Sequence, residues 1–181
     1  TMANICSFIM CVKGDHENIE SFYNALIQKG TIWMGRGADA DIDYEDENKA
    51  FVTGQCKWSV YSALIGNAIS MRNDPDKWYH GDDEPENLEF ITLEEACAKW
   101  HLEMEAYSEE YGIGFQEHYL IKNDEVIINE CVDANEYDLY EYKTKEEAEN
   151  ELNTKITDTE WETYKGDCFV RGGFENWDFE I

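Results

Sequence analysis

Acidic residues at alternate positions form the arrangement in this sequence that comes closest to a metal-binding motif, and they are Asp39, Asp41, Asp43 and Glu45. Acids at alternate positions begin the calcium loop of an EF-hand, which also needs glycine at its sixth position and a bidentate glutamate at its twelfth. Those two positions hold Tyr44 and Ala50. We therefore interpret residues 39–47 as an acidic loop tip and predict no bound metal or other cofactor.

Nucleophilic catalysis requires serine or cysteine together with histidine and a carboxylate, and the sequence holds these types without a diagnostic spacing. It has no G-x-S-x-G elbow, no H-E-x-x-H and no phosphate-binding G-x-x-x-x-G-K-[ST] loop. Glu117 and His118 are adjacent, but neighbours in a strand point to opposite faces, which argues against an acid–base pair. The sequence predicts that the protein is not an enzyme and has no catalytic residues.

Six cysteines occur, at positions 6, 11, 56, 97, 131 and 168. None forms a C-x-x-C pair, and the odd offset between Cys6 and Cys11 places them on opposite faces of a strand. Most of the cysteines lie within apolar stretches, such as Cys56 before Lys57-Trp58 and Cys168 before Phe169-Val170, where a thiol packs as a small hydrophobe. We predict six reduced thiols rather than a disulfide framework or a zinc site.

The net charge is the strongest functional signal, because 41 Asp and Glu stand against 14 Lys and Arg, a formal charge of −27 on 181 residues. Residues 1–36 are neutral, whereas residues 78–110 hold eleven acids and one base, and residues 124–162 hold fourteen acids and three bases. Such a field repels nucleic acid and anionic membranes and attracts basic protein surfaces. It predicts a basic partner, although solubility and adaptation to high salt would give the same composition.

Averaged over the surface, this charge is more dilute than that of DNA. A folded chain of 21.1 kDa exposes about 9,000 Å², or roughly 330 Å² per net charge. Duplex DNA, as a cylinder of about 10 Å radius, carries one charge per roughly 110 Å². The acidic segments must therefore converge on one surface if the protein is to compete with phosphates.

The secondary-structure elements predicted for the first half of the chain alternate between strands and helices. An almost continuous apolar run over residues 4–13 predicts a buried strand. Asp15 can cap a helix whose apolar stripe runs from Ile19 to Ile27 and which Gly30 would end. Residues 49–58 are predicted to form a second strand. Ser59 is predicted to cap a short helix that ends at about Asn67, and residues 70–89 are predicted to form a polar loop.

The second half adds a sheet with further helices. Thr92 and Glu95 match a capping box at the start of a helix that ends near Trp100. Leu102, Met104 and Ala106 then alternate with polar residues, so Glu103 and Glu105 are predicted on the wet face of a strand. The remaining predicted elements are a hairpin of strands 114–122 and 125–132 around Asn123-Asp124, an edge over 137–142, a helix after Thr144, and one or two closing strands within 167–180.

These elements predict a single α+β domain over residues 2–181, with a core at about 3–142 and a C-terminal helix–strand extension over 143–181. The expected architecture is a largely antiparallel sheet with helices on one face. No run of about 18 apolar residues and no signal-like start occurs, which favours a cytoplasmic protein.

The segment YSEEYGIGFQEHYLI, residues 107–121, resembles a stretch found in uncharacterised phage and plasmid proteins grouped with the YubB-like ferredoxin-like domain. The opening ANICSFIMCVKGD, the segment GQCKWSV and the ending GGFENWDFEI are similar in character to the same proteins. The resemblance implies a ferredoxin-like sandwich and an origin in a mobile genetic element. It implies no catalytic residues.

Charge and resemblance together predict an acidic phage protein that inhibits a basic nucleic-acid-handling defence enzyme of the host cell by blocking DNA binding or cleavage. The first expected partner is a type II CRISPR effector of the Cas9 type, and the second is a restriction enzyme. Direct binding of nucleic acid or membrane is not expected. The candidate contact residues are Asp39, Asp41, Asp43, Glu45, Asp82, Asp83, Glu84, Glu103, Glu105, Glu109 and Glu110.

Two alternatives belong to other functional classes. A metal-assisted hydrolase would bring several carboxylates into one cleft. A structural or plasmid-maintenance protein would self-associate without catalysis. The sequence leaves the oligomeric state open.

Overall fold

The computed structural model of the chain describes residues 4–28, 32, 38–57, 59–61 and 91–181. Its strands are β1 (Ile5–Lys13), β2 (Asp39–Asp46), β3 (Lys49–Lys57), β4 (Glu103–Glu110), β5 (Phe115–Lys122), β6 (Glu125–Asp138) and β7 (Cys168–Gly172). Its helices are α1 (His16–Ile27), α2 (Leu93–Trp100), α3 (Lys145–Glu151) and α4 (Asp158–Tyr164), with a 3-10 turn at Leu139–Glu141. The predicted α+β class is confirmed.

The seven strands form one sheet in the order β2-β3-β1-β4-β5-β6-β7, and every neighbouring pair is antiparallel. It follows that β1 and β2 run parallel to each other on either side of β3, and that α1 connects them. In the same way β3 and β4 run parallel on either side of β1, with α2 before β4. The strands β5, β6 and β7 extend the sheet beyond β4.

The main core lies between one face of the sheet and the helices α1 and α2. Alternate residues of β1, including Phe8 and Met10, are fully buried against it, and Phe22 of α1 packs edge-on against Trp100 of α2. Burying a side chain such as Phe22 contributes about 1.5–3 kcal/mol. The apolar stripes of β1 and α1 therefore define this layer, as the sequence predicts.

Several local predictions are confirmed in detail. Thr92 accepts the N–H of Glu95 at 3.2 Å, and Glu95 accepts the N–H of Thr92 at 3.0 Å, which completes the capping box of α2. The hairpin between β5 and β6 turns at Asn123 and Asp124, whose φ angles are +51° and +63°. Asparagine and aspartate tolerate this left-handed region, which a two-residue hairpin turn requires.

Two predictions of secondary structure are wrong. The acidic segment expected to be a loop at residues 39–47 is the edge strand β2 and its turn, since Ala40, Ile42 and Tyr44 alternate with the acids and pack on the core. The edge strand expected over 137–142 is the end of β6 followed by the 3-10 turn. The prediction of one or two closing strands within 167–180 is confirmed by β7, and residues 173–181 continue after it without ladder pairing.

Some predictions fall outside the described residues. These are Gly30 as the end of α1 and the polar loop over 70–89. Residues 60–61 are helical, and the rest of the short helix predicted after Ser59 also lies outside the described range.

A second, smaller core lies in the C-terminal half, where Leu139, Ala148, Ile156 and Phe169 are buried together. Arg171 of β7 holds this unit in place. Its guanidinium donates to both carboxylate oxygens of Glu160 at 3.1 Å and to the carbonyl of Lys155 at 2.9 Å. It also lies over the rings of Tyr137 and Phe169. The predicted boundary at residue 143 stays a prediction, because this small core uses residues on both sides of it.

The part of the chain built around the small core of Leu139, Ala148, Ile156 and Phe169, which we call the C-terminal unit, is expected to unfold locally in acid. The N–H of Ile156 lowers the pKa of Glu149, the Lys145 ammonium lowers that of Asp158, and the N–H of Thr157 lowers that of Glu160. A carboxyl whose folded pKa is depressed stabilises the fold above its ordinary pKa, and that stabilisation is lost as the pH falls through the folded value. We expect the amide resonances of Ile156 and Thr157 to move toward disordered positions below about pH 4, before those of β1. Simultaneous movement of both regions would contradict this order.

Candidate interaction surface

The acids of β2 form a regular row at one edge of the sheet. Asp39, Asp41 and Asp43 are exposed and point to the face opposite the helices. Residues two apart in a strand are separated by about 6.7 Å. Among the described residues, no lysine or arginine lies within salt-bridge distance of these three aspartates, whereas Glu45 pairs with Lys49 at 3.0 Å. Within the described part of the chain, the row therefore carries three charges without a basic partner.

The strand that carries the β2 row approaches β3 closely at a glycine. Gly54 of β3 lies opposite Ala40, and a Cβ atom on Gly54 would come within 2.4 Å of the Asp39 carbonyl oxygen and 2.5 Å of the Ala40 Cβ. Such distances are well inside van der Waals contact, so a larger side chain would force the strands apart.

Residues 173–181, the C-terminal segment, cover the same face of the sheet over β1, β4 and β5. Trp177, Phe179 and Ile181 are half-buried, whereas Asp178 and Glu180 between them are exposed, and Glu175 is exposed as well. Phe179 packs edge-on against Phe51 of β3, with ring centroids 5.6 Å apart. Phe51 is the register partner of Asp43, so the C-terminal segment lies one strand from the β2 row.

This side of the sheet therefore carries two sets of exposed carboxylates, which we call the acidic face: Asp39, Asp41, Asp43, Glu175, Asp178 and Glu180. Lys13 and Lys49 are register partners at one end of this side of the sheet, and Lys57 lies near the other end. The two acidic sets come from parts of the chain more than 130 residues apart. Sequence analysis identified the β2 set and missed the C-terminal set.

The other candidate contact residues that the structure describes are either partly exposed, as Glu103 and Glu109 are, or buried, as Glu105 and Glu110 are. Glu103 is one-third exposed and 3.9 Å from Lys122, and Glu109 accepts a hydrogen bond from the hydroxyl of Tyr111. Glu110 is buried and accepts the N–H groups of Gly112 and Ile113 at 2.8 and 2.7 Å, so its role is to hold the turn after β4. Asp82, Asp83 and Glu84 lie outside the described residues.

The prediction that Glu105 lies on a wet strand face with Glu103 is wrong. The two side chains do share a face, but the C-terminal segment covers Glu105, which is fully buried. Its carboxylate lies 3.1 Å from Nε2 of His118 and accepts the N–H of Glu180. Glu105 is therefore unavailable to a partner in this structure.

His118 pairs with Glu105 across the strands and not with its neighbour in sequence. Its ring stacks on Tyr107 with centroids 4.1 Å apart, and its Nδ1 lies 3.8 Å from Glu130. Burial, followed by the charge of Glu105, raises the pKa of Tyr107. Sequence alone gives no signal for this pair, because it depends on the register between β4 and β5.

Glu117 faces the helices, on the other side of the sheet from His118, as strand alternation predicts. Its buried carboxylate accepts four hydrogen bonds: from the N–H groups of Val60 and Tyr61 at 2.8 and 3.2 Å, and from the hydroxyls of Ser108 and Tyr119 at 2.6 and 3.2 Å. Burial and the Glu117 charge raise the pKa of Tyr119, so this tyrosine stays a donor at neutral pH. Glu117 thereby anchors residues 60–61 to the sheet.

The cysteines are divided between buried and exposed positions. Cys6 and Cys56 are buried register partners on β1 and β3, and Cys11 lies on the opposite face from Cys6, as expected. Cys168 is exposed, contrary to the expectation that it packs as a small hydrophobe.

Strand pairing brings Cys168 close to two carboxylates. It lies opposite Asp138, and one ligand atom from each of Glu136, Asp138 and Cys168 lies within 4.8 Å of the others. The three groups could contact a soft divalent cation, but nothing in the described residues adds a fourth ligand to this group.

Comparison of the chain with protein families, curated proteins and solved structures finds no match. The resemblance to YubB-like proteins therefore stays a prediction. In the described part of the chain, no helix is long and apolar enough to cross a membrane.

Proposed function

We propose that this protein binds a basic nucleic-acid-handling enzyme and inhibits it by occupying its phosphate-binding channel. The observation that supports this best is the row of Asp39, Asp41 and Asp43, three exposed carboxylates without basic partners among the described residues. Glu175, Asp178 and Glu180 extend the same negative face. A surface of one charge sign steers a partner of the opposite sign and repels nucleic acid itself.

The spacing of the row also suits a phosphate-binding groove. In B-DNA with a radius of about 10 Å and about 10.5 base pairs per turn, successive phosphates on one strand lie roughly 7 Å apart. Alternate residues of β2 lie about 6.7 Å apart. A row of lysine and arginine side chains that contacts successive phosphates could therefore contact successive aspartates.

We further propose that β1 to β4, α1 and α2 form a ferredoxin-like core. The order β2-β3-β1-β4 and the connections β1-α1-β2 and β3-α2-β4 are those of a split β-α-β fold, to which β5, β6 and β7 are added. This supports the resemblance to YubB-like proteins of phages and plasmids. On that basis we place the protein in the cytoplasm of a bacterial host, with a Cas9-type effector as first partner and a restriction enzyme as second.

The test is DNA cleavage by a purified Cas9–guide complex, and in parallel by a restriction enzyme, at moderate salt. The informative variant carries Asp39→Lys, Asp41→Lys and Asp43→Lys, and we expect its inhibition to fall by at least about tenfold because each reversal replaces attraction by repulsion. The inhibition that remains should weaken as salt rises.

The matched control carries Glu141→Lys, Glu146→Lys and Glu151→Lys, which reverse three exposed acids of the C-terminal unit. Both variants have a net charge of −21, since three reversals add six charges to −27. The control should inhibit as well as the wild type. Equal loss in both variants would show that net charge, and not the β2 row, carries the effect, and no inhibition by the wild type of any basic nuclease would refute the proposal.

A further inference from the structure

Side chains of the sheet hold the C-terminal segment mainly through its backbone. Glu105 accepts the N–H of Glu180 at 3.1 Å, and Gln116 Oε1 accepts the N–H of Phe174 at 2.8 Å. The hydroxyl of Tyr107 donates to the carbonyl of Asp178 at 3.0 Å. These groups are buried in the sheet, and backbone N–H and C=O groups occur in every peptide. The one contact among these residues that depends on a side chain of the segment is the indole N–H of Trp177, which donates to Gln116 Oε1 at 3.3 Å. The other polar contacts specify an extended conformation rather than one sequence.

The aromatic contacts supply sequence preference. Tyr107 stacks on Trp177 with centroids 5.5 Å apart and meets Phe174 and Phe179 edge-on at 5.7 and 5.3 Å. Offset-stacked and edge-on aromatic pairs contribute about 0.5–1.5 kcal/mol each beyond area burial. The surface therefore fits a peptide with aromatic residues at its first, fourth and sixth positions.

The residues between these aromatic anchors contribute little to the fit. Glu175, Asn176, Asp178 and Glu180 are exposed, so other side chains can replace them without loss of contact to the sheet. On a protein with a net charge of −27, acids at these positions add repulsion, whereas lysine or arginine would add attraction. The surface is thus better matched in charge to a basic peptide than to its own segment.

We propose that the sheet face around Glu105, Tyr107 and Gln116 is a peptide-binding site that the C-terminal segment occupies in cis, and that its partner is an extended segment of another protein with aromatic residues separated by basic ones. The chain's own segment competes as an intramolecular ligand, at an effective concentration on the order of millimolar. A partner must therefore displace it, which makes the segment a reversible cover of the site. This site is independent of the β2 row.

The experiment uses the full chain with Trp177→Ala and Phe179→Ala, which weakens the cover. Three fluorescent nonapeptides are titrated by anisotropy: residues 173–181 unchanged, the same peptide with lysine in place of Glu175, Asp178 and Glu180, and this lysine peptide with alanine in place of its three aromatic residues. We expect the variant to bind the lysine peptide at least about tenfold more tightly than the unchanged peptide at low salt. We also expect it to bind the lysine peptide at least about tenfold more tightly than the wild-type chain does.

The alanine-substituted lysine peptide separates recognition from simple charge attraction. It should bind at least about tenfold more weakly than the lysine peptide, because it keeps the charges and lacks the anchors. Equal binding of these two peptides, or no binding of either to the variant, would overturn the proposal. If the variant does not fold by circular dichroism, the wild-type chain is titrated with the lysine peptide by NMR. Displacement then predicts shifts of the Phe174 and Glu180 amides, and their absence at millimolar peptide would overturn the proposal equally.

Discussion

Replacing Glu117 with alanine is expected to lower the free energy of unfolding by about 3–5 kcal/mol. The substitution removes one acceptor from four donors, the N–H groups of residues 60 and 61 and the hydroxyls of Ser108 and Tyr119. Each buried donor that is left unpaired costs about 1–3 kcal/mol, and relaxation recovers part of this sum. Urea unfolding followed by circular dichroism measures the change.

Two further variants serve as controls for the Glu117→Ala measurement. Glu125→Ala changes an exposed glutamate at the start of the neighbouring strand β6 and should stay within about 0.5 kcal/mol of the wild type. Glu117→Gln keeps the shape of the side chain and one acceptor oxygen. Its decrease in the free energy of unfolding should therefore lie between those of Glu117→Ala and Glu125→Ala. If Glu117→Ala were as stable as Glu125→Ala, the anchoring of residues 60–61 by this carboxylate would be wrong.

The elements that the sequence predicts well are those with local signals. The apolar run of β1, the stripe of α1, the Thr92–Glu95 capping box and the Asn123-Asp124 turn all depend on contacts within a few residues. Each of these elements is present at the expected position. Such signals suffice for the α+β class.

The β2 prediction failed although a signal for the strand was present. Aspartate is depleted in strands, and a dense run of it suggests a loop. However, Ala40, Ile42 and Tyr44 alternate with the acids, which is the period of a strand with one buried face. The two-residue alternation therefore predicts β2 where the aspartate content favours a loop. It also predicts that the side chains of Asp39, Asp41 and Asp43 lie on the same face of the strand.

The prediction that Glu105 is exposed failed because the alternation of residues within a strand does not show what covers each face of the sheet. The two-residue period of β4 correctly separates Glu103 and Glu105 from Met104, but it cannot say whether the second face is wet. The C-terminal segment that covers Glu105 lies about 75 residues further along the chain. Its own pattern, Trp177, Phe179 and Ile181 between acids, indicates an extended segment with an apolar side and gives no docking position.

This correction changes what substitutions in β4 are expected to do. Glu105→Ala should lower the free energy of unfolding by about 3–5 kcal/mol, because it leaves His118 and the N–H of Glu180 without their buried acceptor. Glu103→Ala, two residues away on the same face, should cost less than about 1 kcal/mol, since its pair with Lys122 is solvated. Urea unfolding monitored by tryptophan fluorescence, to which Trp177 contributes, measures both variants.

The same pair of variants separates surface charge from structure in the inhibition assay. If Glu103 and Glu105 acted as equivalent surface charges, the two substitutions would reduce binding equally and leave stability unchanged. The structure predicts a different result, in which Glu105→Ala unfolds at lower urea and releases the C-terminal segment while Glu103→Ala does neither. Because release also removes Glu175, Asp178 and Glu180 from the acidic face, any loss of inhibition in Glu105→Ala should follow the change in Trp177 fluorescence. Unchanged stability in Glu105→Ala would show that its carboxylate is not held as described.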